Sequence, residues 1–182
     1  MPGPFDAVNS YFLGKDGNRP FLFRQAFNAD AELEMVVNSD AISFPARAKG
    51  LPAIEDVLCR RFATEFENVF TFCLERPNAA HRAHFPCHWL VGMSGRVNGP
   101  IRVGSGRYDW YFTPGAECRI RKAVITIDVM QVIPAAQLEP IMGWLSGLPY
   151  PWCSAAKALE SLPAVDGLQP VEQYLKLNSK AG

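Results

Sequence analysis

Residues 85–112 read FPCHWLVGMSGRVNGPIRVGSGRYDWYF, and the reading of this stretch decides the fold. Two runs, Phe85–Ser94 and Ile101–Phe112, are rich in aromatic and β-branched residues, and Asn98-Gly99-Pro100 lies between them. Such runs around a short glycine-containing turn form an antiparallel hairpin. With Asn98-Gly99 at the centre of the turn, Val97 faces Pro100. Cys87 then faces Trp110, Trp89 faces Tyr108 and Val91 faces Gly106, all on one side of the sheet. His88 faces Asp109 and Leu90 faces Arg107 on the other side. The first side is aromatic and apolar and belongs against the core. The second is polar, with Ser105, Arg107, Asp109, Lys122 and Thr126. A one-residue slip would exchange every assignment in a strand.

Working outward, Asn68–Glu75 and Arg119–Ile133 are further strands, connected through Pro77-Asn78 and Pro114-Gly115. A tight turn at Pro114-Gly115 sets Lys122 opposite Asp109 and Ile125 opposite Gly106. Four strands in series imply an antiparallel meander. Upstream, Phe5, Val8, Phe12 and Leu13 fall at helical spacing and Gly14 ends the helix; Pro20 to Phe27 forms a second. From Ala31 the period changes to two, with Leu33, Met35 and Val37 on one side of a strand and Glu32 and Glu34 on the other. Asn38-Ser39-Asp40 turns the chain into a returning strand, Ala41–Phe44. Pro52 opens a third helix carrying Ile54, Val57, Leu58, Phe62 and Phe66. After Pro134 come a short helix, Ala136 to Leu145, an irregular Gly147–Trp152 segment, a helix over Val171 to Leu177, and a frayed end, Ser179 to Gly182. Early helices and late strands give an α+β class: a curved antiparallel sheet packed on N-terminal helices, with residues 1–146 as one domain and 147–182 as an extension packed on or trailing from it.

The 182 residues are 48% hydrophobic, enough for one sizeable core. Lys plus Arg number 18 and Asp plus Glu number 18, so the chain carries no basic field for nucleic acid. No stretch approaches the roughly 20 apolar residues of a membrane helix, and the start lacks the pattern of a secretory signal. Cys59, Cys73, Cys87, Cys118 and Cys153 are odd in number and widely spaced, which points to reduced, buried thiols and a cytoplasmic location.

Three segments carry a resemblance. Phe27-Asn28-Ala29-Asp30-Ala31-Glu32-Leu33, Lys49-Gly50-Leu51-Pro52-Ala53-Ile54 and Gly106-Arg107-Tyr108-Asp109 resemble the first strand entry, the third helix start and a recurrent strand of the nuclear transport factor 2-like superfamily, within it the SnoaL-like proteins. The match covers about Phe5 to Pro134. The resemblance implies a cone-shaped half-barrel that holds a ligand between helices and sheet, and a homodimer joined through the sheet. Its members include polyketide cyclases, dehydratases, ketosteroid isomerase and non-enzymatic transport factors, so fold does not select activity. Isomerase-type members carry an inward carboxylate on the first strand; here the matching residues, Leu33, Met35 and Val37, are apolar.

Two constellations could carry chemistry. The first is a cavity of Tyr11, Cys87, Trp89, Tyr108 and Trp110, with Gly104 and Gly106 leaving room above the sheet. Aromatic walls with one or two hydroxyls suit a small flat apolar ligand, although the same residues also suit a plain core. The second is His88 with Asp109, an acid–base pair in which the carboxylate fixes the imidazole tautomer, or else a cross-strand surface pair. Asp128 is a third carboxylate on the polar side. His81, His84, Cys87 and His88 have the ligand types of zinc, but they sit in a loop and on opposite strand faces, so no metal is expected. Gly104-Ser105-Gly106 lacks the third glycine of a dinucleotide loop, and no cofactor is expected. The expectation is a small-molecule-binding protein, as an enzyme a cofactor-independent cyclase, dehydratase or isomerase acting on an apolar carbonyl or polyketide-like ligand, with Tyr108, His88 and Asp109 as catalytic residues. The alternative is a non-catalytic binding or assembly module that uses the polar sheet face and Pro149–Trp152.

Overall fold

A computed structural model describes residues 2–179 of the chain. Helix α1 (Pro4–Asp16) begins with Gly3, whose N–H donates to the Asp6 carboxylate at 2.7 Å. Pro4 sits in the first turn, where no N–H is needed. Val8, Tyr11 and Phe12 of α1 are buried. The expected second helix is shorter than its pattern: a 3₁₀ turn, Pro20–Leu22, leads into α2 (Phe23–Ala26), and the chain is already extended at Phe27 as β1 (Phe27–Val37). Phe27 pairs with Ile120 there, so sheet pairing wins over helical continuation.

The strand returning along β1 is β2 (Arg47–Lys49) and not Ala41–Phe44. Ile42 and Phe44 are drawn off the sheet because both pack against the inner core. A helical stretch follows as α3 (Leu51–Glu55), a π-helical segment Asp56–Arg60 and α4 (Arg61–Glu65). Its widened turn buries Val57, Leu58 and Cys59 in succession. Phe66, expected to end this helix, opens β3 (Phe66–Cys73) instead.

The remaining strands are β4 (His84–Gly95), β5 (Ile101–Phe112) and β6 (Ile120–Ile133). The six-stranded sheet has the order β2-β1-β6-β5-β4-β3. The meander from β3 to β6 is antiparallel, whereas β1 pairs with β6 in parallel.

The hairpin register differs from the expected one by two residues. Cys87 faces Tyr108, His88 faces Arg107, Trp89 faces Gly106 and Leu90 faces Ser105. The left-handed turn residues are Val97 (φ 57) and Asn98 (φ 59), not Asn98 and Gly99. Arg96 displaces the turn by tying it to α4: its N–H donates to the Glu65 carbonyl at 2.9 Å and its guanidinium to the Ala63 carbonyl. The β5–β6 register is also moved by two, so Asp109 faces Val124, Tyr111 faces Lys122 and Gly106 faces Ile127. A two-residue shift preserves which face each side chain occupies. The shift past Ser105 and Gly106 places a bulge at Asp128 in β6, so that both Ile127 and Met130 reach the inner core.

Both sides of the sheet are covered, where helices on one side alone were expected. The inner side packs on α1, α2 and α3–α4. The other side is covered by α5 (Leu138–Ser146), α6 (Ala155–Glu160) and α7 (Gln169–Asn178). There Phe72, Leu90, Ile101, Val103 and Ile133 form a second core with Ile141, Trp144, Leu145, Val171 and Leu175. Gly92 lets α5 approach the strand, since a Cβ on it would lie 2.1 Å from the Leu145 side chain. The Trp144 indole N–H donates to the Ala158 carbonyl at 2.9 Å, locking α5 to α6. Between them the chain pairs with the end of β3: the Cys73 N–H donates to the Pro151 carbonyl at 2.8 Å, and the Cys153 N–H to the Cys73 carbonyl at 3.1 Å. This shields the sheet edge. The expectation of a frayed end falls largely on residues 180–182, outside the described residues.

Candidate functional site

Helix α1 projects Tyr11 and Lys15 toward the sheet, and β4 and β5 project Trp89 and Tyr108 toward the helix. Between them lies a cavity of about 40 Å³, walled otherwise by Met35, Met93, Met130, Ile125, Phe62 and Phe44. The Tyr11 and Tyr108 hydroxyls are 3.4 Å apart. Both rings are buried, and Trp110 stacks on Tyr108 with centroids 4.6 Å apart. Burial pushes both phenol pKa values upward, and each neighbouring phenol raises or lowers that effect only secondarily, so both are neutral donors.

Lys15 is the group that sequence reasoning missed. Its side chain is 8% exposed and that of Asp16 5%, so this is a buried ion pair, with Nζ 2.8 Å from Asp16 Oδ1. Nζ also donates to Thr71 Oγ1 at 2.9 Å and lies 4.6 Å from the centre of the Phe62 ring. Asp16 accepts three further bonds: the Thr71 N–H at 2.7 Å, the Thr71 hydroxyl at 2.9 Å and the Tyr150 hydroxyl at 2.9 Å. A Lys-Asp pair just after Gly14 reads as a solvated helix end, and only its contact with β3 and with Tyr150 buries it.

The other anticipated residues are distributed as follows. Cys87 and Trp110 are buried on the inner side behind the cavity wall, and Trp89 lines the cavity. Burial raises the Cys87 thiol pKa well above its ordinary value. The space expected above Gly104 and Gly106 is filled: a Cβ on Gly106 would lie 2.7 Å from the Trp89 ring, and one on Gly104 2.7 Å from Met130. His88 and Asp109 lie on the other face and do not meet. Asp109 Oδ1 bonds His84 Nε2 at 2.9 Å and Arg107 Nη2 at 2.9 Å. His88 Nδ1 instead lies 2.7 Å from the Tyr174 hydroxyl of α7. Burial, and then Arg107, lowers the His88 pKa. The two-residue register shift is the reason, because it puts Arg107 where Asp109 was expected. Asp128 accepts from Asn38 Nδ2 at 3.2 Å. His81, His84, Cys87 and His88 do not converge: His81 Nδ1 accepts the Asn78 N–H at 3.1 Å, and the other three bond elsewhere or face inward.

No protein-family profile matches the chain, and no curated protein matches its sequence. Its fold does recur in solved structures. A nuclear transport factor 2-like superfamily protein from Salmonella enterica superposes with a TM-score of 0.53 at 17% identity, covering 69% of this chain and 88% of the other. The hexachlorocyclohexane dehydrochlorinase LinA-type3 of Novosphingobium barchaimii superposes with a TM-score of 0.54 at 11% identity, over 70% of this chain and 86% of that one. The epoxide hydrolase/cyclase-like enzyme SalBIII, which acts in pyran ring formation in the polyether salinomycin, gives 0.51 at 13% identity, over 68% and 89%. The aligned part leaves about three-tenths of this chain unmatched.

Proposed function

We propose, from the nuclear transport factor 2-like fold that this chain has, that its cone binds a small flat apolar ligand through a carbonyl end. The observation that carries this reading is the set of donors inside an otherwise apolar cavity: the Tyr11–Tyr108 hydroxyl pair and the Lys15 ammonium. Donors of this kind polarise a carbonyl. The cavity of about 40 Å³ is too small for such a ligand as it stands, since even benzene fills a cavity of about 150 Å³. Binding therefore requires Met35, Met93 and Met130 to repack and Ile42 and Phe44 of the 38–46 connection to swing outward. Any turnover, by cofactor-independent cyclisation, dehydration or isomerisation, would run through Lys15 with Tyr108, and His88 and Asp109 would separately serve the outer surface. Solved structures of the same fold include a dehydrochlorinase and an epoxide hydrolase/cyclase-like enzyme, which supports an enzymatic use of the cone without naming its reaction. Five buried unbridged thiols suit a reducing, cytoplasmic setting. Among the described residues no helix is long and apolar enough to cross a membrane. A homodimer joined through the sheet would use the partly exposed strip around Arg107, Lys122 and Thr126.

The test is thermal stabilisation by a panel of aromatic ketones. Saturable stabilisation is expected, with affinity reduced about fivefold in Tyr108→Phe, the loss of one hydrogen bond, and unchanged in His88→Ala. Equal weakening by His88→Ala, or no stabilisation by any ketone, would count against the cone as the site.

A further inference from the structure

The inner cavity has more hydrogen-bond donors than partners for them. Lys15 uses two of its three N–H groups on Asp16 and Thr71, and the third meets only the face of the Phe62 ring. Tyr11 and Tyr108 share one bond at 3.4 Å, which leaves one of the two O–H groups without an acceptor in the pair. Trp89 is 3% exposed, its ring lines the cavity, and its indole N–H has no partner. A buried donor left unpaired is destabilising, and native interiors rarely keep one without a reason. Among the described residues, no carboxylate or imidazole lines this cavity. Asp16, the carboxylate next to Lys15, is already held by three donors besides Lys15. Its bonds fix the ammonium at the wall of the cavity and leave it no capacity to turn toward a ligand.

We propose that the ligand's polar end is a carboxylate, so that the cavity is a binding site for an apolar monocarboxylate. This rests on the preceding reading of the cone and narrows its carbonyl to a charged one. A ketone offers one oxygen and two lone pairs; a carboxylate offers two oxygens and about four acceptor sites, and bears the charge that an ammonium prefers. With an ammonium as its one charged group, the wall also selects against amines, which bear the same charge. The apolar body lies among Met35, Met93 and Met130, whose unbranched side chains adapt to its shape.

The test compares cinnamate with its methyl ketone, benzylideneacetone, by calorimetric titration of the full chain. The two share ring, linker and carbonyl and differ in charge. Cinnamate is expected to bind about tenfold more tightly, the difference between a charge-assisted bond and a neutral one. Lys15→Met is expected to abolish that preference, weakening cinnamate about tenfold more than it weakens the ketone. Because Lys15→Met leaves Asp16 buried without its cation, Lys15→Met/Asp16→Asn serves as the folding-neutral companion. Trp89→Phe is expected to weaken cinnamate severalfold. Ketone binding equal to or tighter than cinnamate in the natural protein overturns the inference and leaves the cone reading standing. A cinnamate preference that survives in both Lys15 variants overturns it as well. Binding of neither compound overturns both.

Discussion

On the outer side of the sheet, polar side chains find one another: His84 and Arg107 converge on Asp109, and His88 meets Tyr174. On the inner side, apart from the Lys15–Asp16–Thr71 cluster, they do not. Trp89 has no partner, the two tyrosines share a long bond, and Lys15 turns one N–H to an aromatic face. The outer exception is Ser105, whose buried hydroxyl is unpaired where β6 bulges at Asp128. The contrast separates two kinds of polar group in one sheet. The outer ones join strands to each other and to the C-terminal helix. The inner ones are held in a place where their own chain does not complete them, and the proposed site rests on that contrast.

The comparison can be broken from either side. The largest effect is expected on the outer face. Trp144→Ala removes a buried ring and its bond to Ala158, and should destabilise the whole chain by about 4 kcal/mol in urea unfolding. A separate early transition confined to the C-terminal segment would instead show that the two cores unfold independently. Next comes Asp16→Ala, which strands the Lys15 ammonium in the interior. A loss of about 3 kcal/mol is expected, largely recovered when Lys15→Met is added. Additive losses would show that the two do not act as a pair. Tyr150→Phe removes one of the four bonds to Asp16 and should lower stability by about 1 kcal/mol, as read from the urea midpoint.

The smallest effect is the pH dependence of the outer histidine. Burial and Arg107 hold the folded His88 pKa below its ordinary value, against the raising influence of Asp128 and Glu75, with the Tyr174 hydroxyl at 2.7 Å. The unfolded chain therefore takes up the proton first. This contribution is fully present above about pH 6.5, the ordinary histidine value, and is lost as pH falls below it. His88→Gln should flatten the fall in stability on acidification. An unchanged slope would show that His88 does not sense its surroundings.

Much of this was legible in the residues, and the failures have identifiable causes. The alternation of Cys87, Trp89 and Val91 against His88 and Leu90 fixed which face each occupies, and a register error of two left that intact. The partner of His88 was not legible, because it depends on where Arg96 anchors the turn on α4 and on a helix 86 residues further along the chain. The cavity tyrosines were legible as aromatic positions on α1 and β5. Lys15 was not, because a charged residue at a helix end ordinarily faces water, and its burial is created by Thr71 and Tyr150. Ile42 and Phe44 leave the expected strand for the complementary reason: an apolar pair after a turn reads as a strand until something else offers it a core.

Periodicity along the chain carries the α+β class, the inward and outward faces of each strand and the aromatic lining of the cone. These follow from local geometry, in which a side chain's direction depends only on its place along a helix or strand. The tertiary structure alone decided which polar groups meet, that β1 lies parallel to β6, that the C-terminal helices cover the outer face, and that a lysine stands at the wall of the cavity. Those depend on contacts between residues far apart in the chain, whose burial energy is set by packing and leaves no periodic trace in the sequence.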